Sequence, residues 1–146
     1  MEDVGPQEPD RQWDRQGGKG AFTGAMNIDA KGSREFDGGI VAGNLLTSEA
    51  VLDAMVSAYQ STSGPFAERL LTALRAADMA GSDSRGLMAA ALLIVTEDAA
   101  PLTLRIDYAD QPITALEALY RRSQTPPYVD WLSQVPTVKD PFRQPD

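Results

Sequence analysis

Four residues in this chain have side chains and settings suited to chemistry: Asp83, Arg85, Asn44 and Thr23. Asp83 and Arg85 stand two apart in Gly81-Ser82-Asp83-Ser84-Arg85-Gly86, and the bracketing glycines mark a turn where a carboxylate and a guanidinium can meet. The planar fork of Arg85 can hold Asp83 in a bidentate pair or be offered to a substrate carboxylate. The plainer account is a turn in which Asp83 caps backbone amides and Arg85 is solvated or ties down a neighbouring loop. Asn44 follows Gly43 at the end of an apolar run, so its amide can donate to an oxyanion, a role worth about 3 kcal/mol where it occurs. It can equally be the exit of a strand, bonded to its own backbone. Thr23, before Gly24, offers a hydroxyl at a strand end, but a hydroxyl attacks only with a base beside it. No histidine and no free amine stands next to it, so the four residues are read as substrate-binding candidates and none as catalytic.

Composition narrows the chemistry further. The 146 residues contain no cysteine and no histidine, which excludes disulfides, thiolate metal sites, cysteine nucleophiles and the commonest general base. Thirteen basic against 21 acidic residues leave a net charge of -8, which repels phosphate backbones and anionic lipid surfaces, so neither nucleic acid nor membrane is an expected partner. The first residues lack an apolar signal region and no segment reaches eighteen apolar residues; the expected location is cytoplasmic. Gly17-Gly18-Lys19-Gly20 lacks the earlier glycine, the following Ser or Thr and the preceding strand of a P-loop. The acidic residues Asp29, Glu35, Asp37, Glu97 and Asp98 match no calcium loop and read as solvated surface, and Met26, Met55, Met79 and Met88 as core filler. No cofactor or metal is expected.

The elements that must position these residues follow from hydrophobic period. Residues 1–20, with Pro6, Pro9 and a glycine cluster, read as a loose arm; 21–136 as a single α+β domain; and 137–146 as an irregular tail. Short apolar runs at Ala21–Ala25 and Ile40–Leu46 predict two strands joined by a polar connection over 27–39. Val51, Leu52, Met55, Val56 and Tyr59 recur as one helical stripe, with Thr47 or Ser48 as the expected cap. Gly64-Pro65 opens a second helix with Phe66, Leu70, Leu74 and Ala77 on one face, closed by Gly81 in a left-handed conformation, so the two helices form a hairpin. Leu87–Val95 is apolar on both faces, as in a strand sandwiched between layers, whereas Leu102, Leu104, Ile106 and Tyr108 alternate with Thr103, Arg105 and Asp107 as in a half-buried strand. A cross-strand ion pair is the expected place of Arg105 and Asp107. Pro112 starts a helix bearing Ile113, Leu116, Leu119 and Tyr120, and a last turn stacks Tyr128, Trp131, Leu132 and Val135. The layout is α+β, an antiparallel sheet with the helical hairpin on one face, and part of the layer that should cover the other face is missing from the chain.

Ala21-Phe22-Thr23-Gly24, Ala42-Gly43-Asn44, Ala67-Glu68-Arg69-Leu70-Leu71, the Ala80–Gly86 turn and Leu104-Arg105-Ile106-Asp107 together resemble the bacterial domain of unknown function 1028 family, over about Arg11 to Val135. That family is grouped with the N-terminal nucleophile hydrolases. The resemblance implies a partial αββα sandwich, and it implies roughly eighty further residues ahead of the point where this chain begins. The reactive residue of such a hydrolase is the first of the mature chain, its own α-amine acting as base, which Met1-Glu2 cannot supply. Two departures stand out: the sequence is a few residues short of the family's strand between Trp13 and Asp14, and Leu87-Met88-Ala89 is apolar where many members are more polar. The expectation is therefore the C-terminal portion of an amide hydrolase of unknown substrate, inactive alone, which pairs with a complementing N-terminal segment or chain or forms a homo-oligomer. The alternative is a non-catalytic remnant or interaction module that pairs through its open sheet. A third, standalone small-ligand binder would use Asp83, Arg85 and Asn44 without turnover.

Overall fold

The computed structural model describes residues 10–13, 18–27 and 30–144. Six strands and four helices follow in the order β1 (Asp10–Trp13), β2 (Lys19–Phe22), β3 (Gly32–Phe36), β4 (Gly39–Gly43), α1 (Ala50–Ser61), α2 (Phe66–Met79), β5 (Ala90–Ile94), β6 (Leu102–Ile106), α3 (Pro112–Ser123) and α4 (Tyr128–Leu132). The chain divides into two compact units, Met1–Leu87 and Met88–Asp146. In place of one continuous sheet, the described strands form three separate two-stranded antiparallel ladders: β1 with β2, β3 with β4 and β5 with β6. Each ladder joins neighbours in sequence, the pairings with the lowest loop-closure cost.

In the first unit, β1 and the start of β2 fall within the stretch expected as an arm, and the register runs from Asp10↔Phe22 to Trp13↔Lys19. The four residues after Trp13, where the sequence is shorter than the family pattern, lie outside the described residues. The polar connection expected over 27–39 contains β3, paired with β4 from Gly32↔Gly43 to Phe36↔Gly39. Asp37-Gly38 makes the two-residue turn, with Gly38 at φ 81°, a conformation glycine adopts without steric cost. α1 packs on β3 and β4 and pairs with α2, the expected helical hairpin.

Val51 and Leu52, each 1% exposed, are the most deeply buried residues of this unit, with Leu71, Ala67, Ala73 and Tyr59 around them. Burying one aliphatic side chain of this size contributes about 1.5–3 kcal/mol. The ring of Tyr59 lies 5.1 Å from that of Phe36 and meets Phe66 edge-on at 6.4 Å, and the Arg69 guanidinium sits 4.0 Å from its centroid. Phe66 is thereby used at the rim, half exposed, and the buried stripe of α2 runs through Ala67, Leu71 and Ala73 in place of the expected Phe66, Leu70, Leu74 and Ala77 face. Because α2 is held mainly by α1, the face it buries is the narrow one toward that helix. No side chain caps α1: Glu49 is the capping residue, and the Thr47 hydroxyl donates to the Ala80 carbonyl instead.

In the second unit, α3 covers β5 and β6. Leu92 and Leu104 are directly paired and each 5% exposed, while Ile113 and Leu116 of α3 are 3% and 0% exposed. The two-faced burial expected for Leu87–Val95 is not found among the described residues. The strand begins only at Ala90, and Leu93 and Val95 are 64% and 67% exposed. Arg105 bonds Asp107, which lies just past the end of β6, so the pair runs along the chain and not across the ladder. α4 buries none of its residues; Tyr128 and Trp131 stack on each other 5.7 Å apart in solvent. The tail expected as irregular is tied back through the Lys139 N–H, which donates to the Glu97 carbonyl at 2.9 Å.

Candidate functional site

The junction that brings Asp83 and Arg85 next to the segment following Asn44 is built from the end of α2 outward. Past Met79 the chain closes in a Schellman arrangement: the Ser82 N–H reaches the Ala77 carbonyl at 2.9 Å and the Gly81 N–H the Asp78 carbonyl at 3.1 Å, with Gly81 at φ 111°. The expected left-handed Gly81 is therefore what turns the chain out of the helix. The residues that follow are zipped to the segment after β4. Ser84 donates to the Leu45 carbonyl at 2.7 Å, Thr47 donates to the Ser82 carbonyl at 3.0 Å, and Leu46 bridges Asp83. Leu46 also donates to the Ala30 carbonyl at 3.1 Å, which brings a third loop to the same place.

Leu45, Ser82 and Ala30 have φ of 56°, 49° and 49°, a region that L residues enter at a cost of about 1–3 kcal/mol each. They are the non-glycine residues with positive φ among those described, and all three lie at this junction. The backbone bonds just given hold them there. Sequence reasoning missed Leu45, Ser82, Ser84 and Thr47, and for the first two no local signal exists, since neither type announces a left-handed backbone.

Asp83 and Arg85 take up the bidentate geometry. Arg85 Nε donates to Asp83 Oδ1 at 2.9 Å and Nη2 to Oδ2 at 2.7 Å, while the Arg85 backbone N–H also reaches Oδ1 at 2.8 Å. The carboxylate therefore both caps the turn and holds the guanidinium, which is the plainer account and the paired one at once. Donation from the Arg85 side chain, and from its backbone amide, holds the Asp83 carboxyl below its ordinary value near 3.8, and the same pair pushes Arg85 upward. The Arg85 side chain remains 66% exposed, so one face of its plane is open to a ligand.

Asn44 sits half-buried beside Leu45, and its side chain has no hydrogen-bond partner among the described residues. Thr23 lies in the loop after β2 with its Oγ1 buried and unpartnered. No hydrogen bond links Thr23 to Asn44 or to the Asp83–Arg85 turn among the described residues, and no base touches its hydroxyl. Asp29 lies outside the described residues, and no group of three or more potential metal ligands occurs among those that are described. A second polar cluster, where Arg34 bonds Asp53 Oδ1 at 2.7 Å and Glu49 Oε2 at 3.2 Å, pins β3 to α1. Both carboxylates raise the Arg34 pKa, and they occupy its fork.

The Asp83–Arg85 pair carries a pH dependence whose sign is fixed by the downward shift. A carboxyl with a lowered folded-state pKa stabilises the fold above its unfolded value and loses that contribution as pH falls through the folded value. The difference in urea midpoint between the wild type and Asp83→Asn is expected to be present at pH 7 and to shrink steadily below about pH 4. A gap that stays constant down to pH 2 would show that the charge on Asp83 adds nothing to stability.

A protein-family model described as a family of unknown function (DUF1028) matches residues 3–116. The chain belongs to this family. A crystal structure of a DUF1028 protein from Silicibacter pomeroyi superimposes with a TM-score of 0.82 at 46% identity, over 88% of the present chain. The match takes in 57% of the Silicibacter protein, so the present chain spans little more than half the length of that relative. A comparison with curated proteins returns no match. No helix among the described residues is long and apolar enough to cross a membrane.

Proposed function

We propose that this chain is the C-terminal portion of an N-terminal nucleophile-type amide hydrolase with a small substrate, contributing binding loops to a site whose nucleophile comes from a complementing segment or chain. The observation that carries this reading is the junction of three strained loops, which sets Asn44 beside the turn bearing Asp83 and Arg85. Strained backbone held in place by surrounding bonds is a mark of functional positions. In this role the Asn44 amide, free of internal partners, donates to the oxyanion, and Arg85, oriented by Asp83, receives a substrate carboxylate. The unactivated Thr23 hydroxyl leaves the attacking group to the complement. Membership of DUF1028, and a relative with nearly half its length unmatched here, support the same reading, in which the ladders are parts of an αββα sandwich.

The test is complementation. The chain is co-expressed with the part of the Silicibacter protein that it does not match, and a set of N-acyl amino acids and small amides is screened against the pair and against the chain alone. Turnover is expected from the pair alone, reduced about 10- to 1,000-fold by Asn44→Ala. Turnover by the chain without its complement would overturn the reading. A stable complex with no turnover would favour the second reading, a non-catalytic interaction module, which the exposure of Leu93 and Val95 supports.

A further inference from the structure

α4 carries an aromatic surface that its own unit leaves uncovered. Tyr128 and Trp131 are three apart and so share one side of the helix; they are 39% and 55% exposed, with ring centroids 5.7 Å apart and 39° between the ring planes. The two rings open as a shallow wedge. Neither the Trp131 indole N–H nor the Tyr128 hydroxyl has a hydrogen-bond partner among the described residues. Paired rings with free polar ends, standing in solvent, are the composition of a contact surface. Arg122 stands next to them. Its Nη1 donates to the Thr125 hydroxyl at 3.3 Å, and the Thr125 carbonyl accepts from the Val129 N–H, which ties this guanidinium to the first turn of α4. Arg34, Arg75, Arg85, Arg105 and Arg143 each face a carboxylate, whereas Arg122, in the last turn of α3, faces none among the described residues. In a chain of net charge -8, that open fork is a place for a carboxylate from outside. Asp130, two places from Tyr128, leaves the helix on another side.

We infer that α4 and the end of α3 dock an extended, proline-bearing segment of a partner protein in which a carboxylate flanks the proline. Three chemical demands select this occupant. The wedge between Tyr128 and Trp131 takes a flat-sided apolar group, which a pyrrolidine ring supplies without bringing an N–H that would need an acceptor. The free indole N–H and phenol hydroxyl need acceptors, and a polyproline II segment offers carbonyls that make no internal hydrogen bonds. The fork of Arg122 needs an anion, which an acidic neighbour of the proline provides. A partner helix would need anchors along two turns of a groove, and α4, five residues long, presents two rings. The stiffness of a polyproline segment also lowers the ordering cost of binding on so small a surface. α4 lies beyond residues 3–116, which the family model matches, so this surface is separate from the hydrolase reading.

The experiment titrates the full chain with a synthetic peptide of repeated Pro-Pro-Glu triplets, read by calorimetry and by the indole N–H signals in NMR spectra, with Trp131→Phe identifying the signal of Trp131. Saturable binding that moves this signal is expected. Trp131→Ala should weaken it at least ~10-fold, as for an aromatic anchor. Arg122→Gln, or a peptide with lysine in place of each glutamate, should weaken it about 2- to 5-fold, the range for one exposed ion pair. Tyr108→Ala, at an exposed aromatic elsewhere in the same unit, is the control and should change affinity less than ~2-fold. Because α4 buries none of its residues, Trp131→Ala is expected to melt at the wild-type temperature, which separates lost docking from lost folding. Binding that tolerates both Trp131→Ala and Tyr128→Ala would overturn the docking surface. Equal binding of the lysine peptide would overturn the role given to Arg122. Indifference to the peptide, with Trp131-dependent sedimentation on vesicles of phosphatidylcholine and phosphatidylserine in equal parts, would overturn the occupant in favour of a lipid surface. Binding to neither probe would overturn the inference altogether.

Discussion

Replacing Leu116 by alanine is expected to lower the unfolding free energy by about 3–5 kcal/mol, the range for a buried leucine whose surroundings cannot close over the gap. Leu116 is 0% exposed and lies on α3, the helix that covers the β5–β6 hairpin. Its neighbours in that layer, Ile113, Leu92 and Leu104, are themselves 3–5% exposed, so no mobile surface group can move in to fill the space. The loss is a large share of the stability of an ordinary domain, which is only about 5–15 kcal/mol. Urea titration followed by circular dichroism measures it. A loss under 1 kcal/mol would show that the helix collapses onto the ladder, and that packing here is looser than the burial implies.

The second large effect is expected at Gly81. Its φ of 111° is a conformation that L residues rarely adopt, and an added Cβ would collide with Thr47 Oγ1 and stand 3.2 Å from Thr47 Cβ and Cγ2. Gly81→Ala is therefore expected to cost about 2–4 kcal/mol, from backbone strain together with overpacking. Gly86 supplies the comparison, because at φ 97° it is equally left-handed but an added Cβ there meets nothing within 4 Å. Gly86→Ala should show the backbone cost alone, about 1 kcal/mol or slightly more. Adding Thr47→Ala to Gly81→Ala should recover part of the loss, a coupling that the double-mutant cycle reads directly. Equal losses at the two glycines, with no recovery from Thr47→Ala, would show that the Thr47–Gly81 contact does not brace the junction.

Much of the scaffold was legible because local chemistry decides it. The stripe from Val51 to Tyr59 gives α1, Gly64-Pro65 and Gly81 delimit α2, and Pro112 begins α3. β3 is not legible from its own residues, since Ser33, Arg34 and Glu35 have no apolar period, and the strand owes its existence to pairing with β4. The Asp37-Gly38 dipeptide was the available signal for that hairpin. The buried face of α2 lies about one residue from the expected one because Phe66 is large and apolar yet is used edge-on against Tyr59 at the rim. The bidentate pair of Asp83 and Arg85 follows from spacing and turn glycines and was among the expected arrangements. The strained backbone at Leu45 and Ser82 does not follow, because it is imposed by bonds between loops more than thirty residues apart in sequence.

The tie between Lys139 and Glu97 bears on how the second unit is held together. The family model's match ends at residue 116, so α4 and the tail lie beyond it, and this late stretch returns to brace the β5–β6 connection, with Thr137 only 8% exposed. This late stretch thus acts as a strut for the hairpin. Loosening that tie would be felt first in the β5–β6 hairpin, so the end of the chain helps set how firmly the second unit holds its ladder.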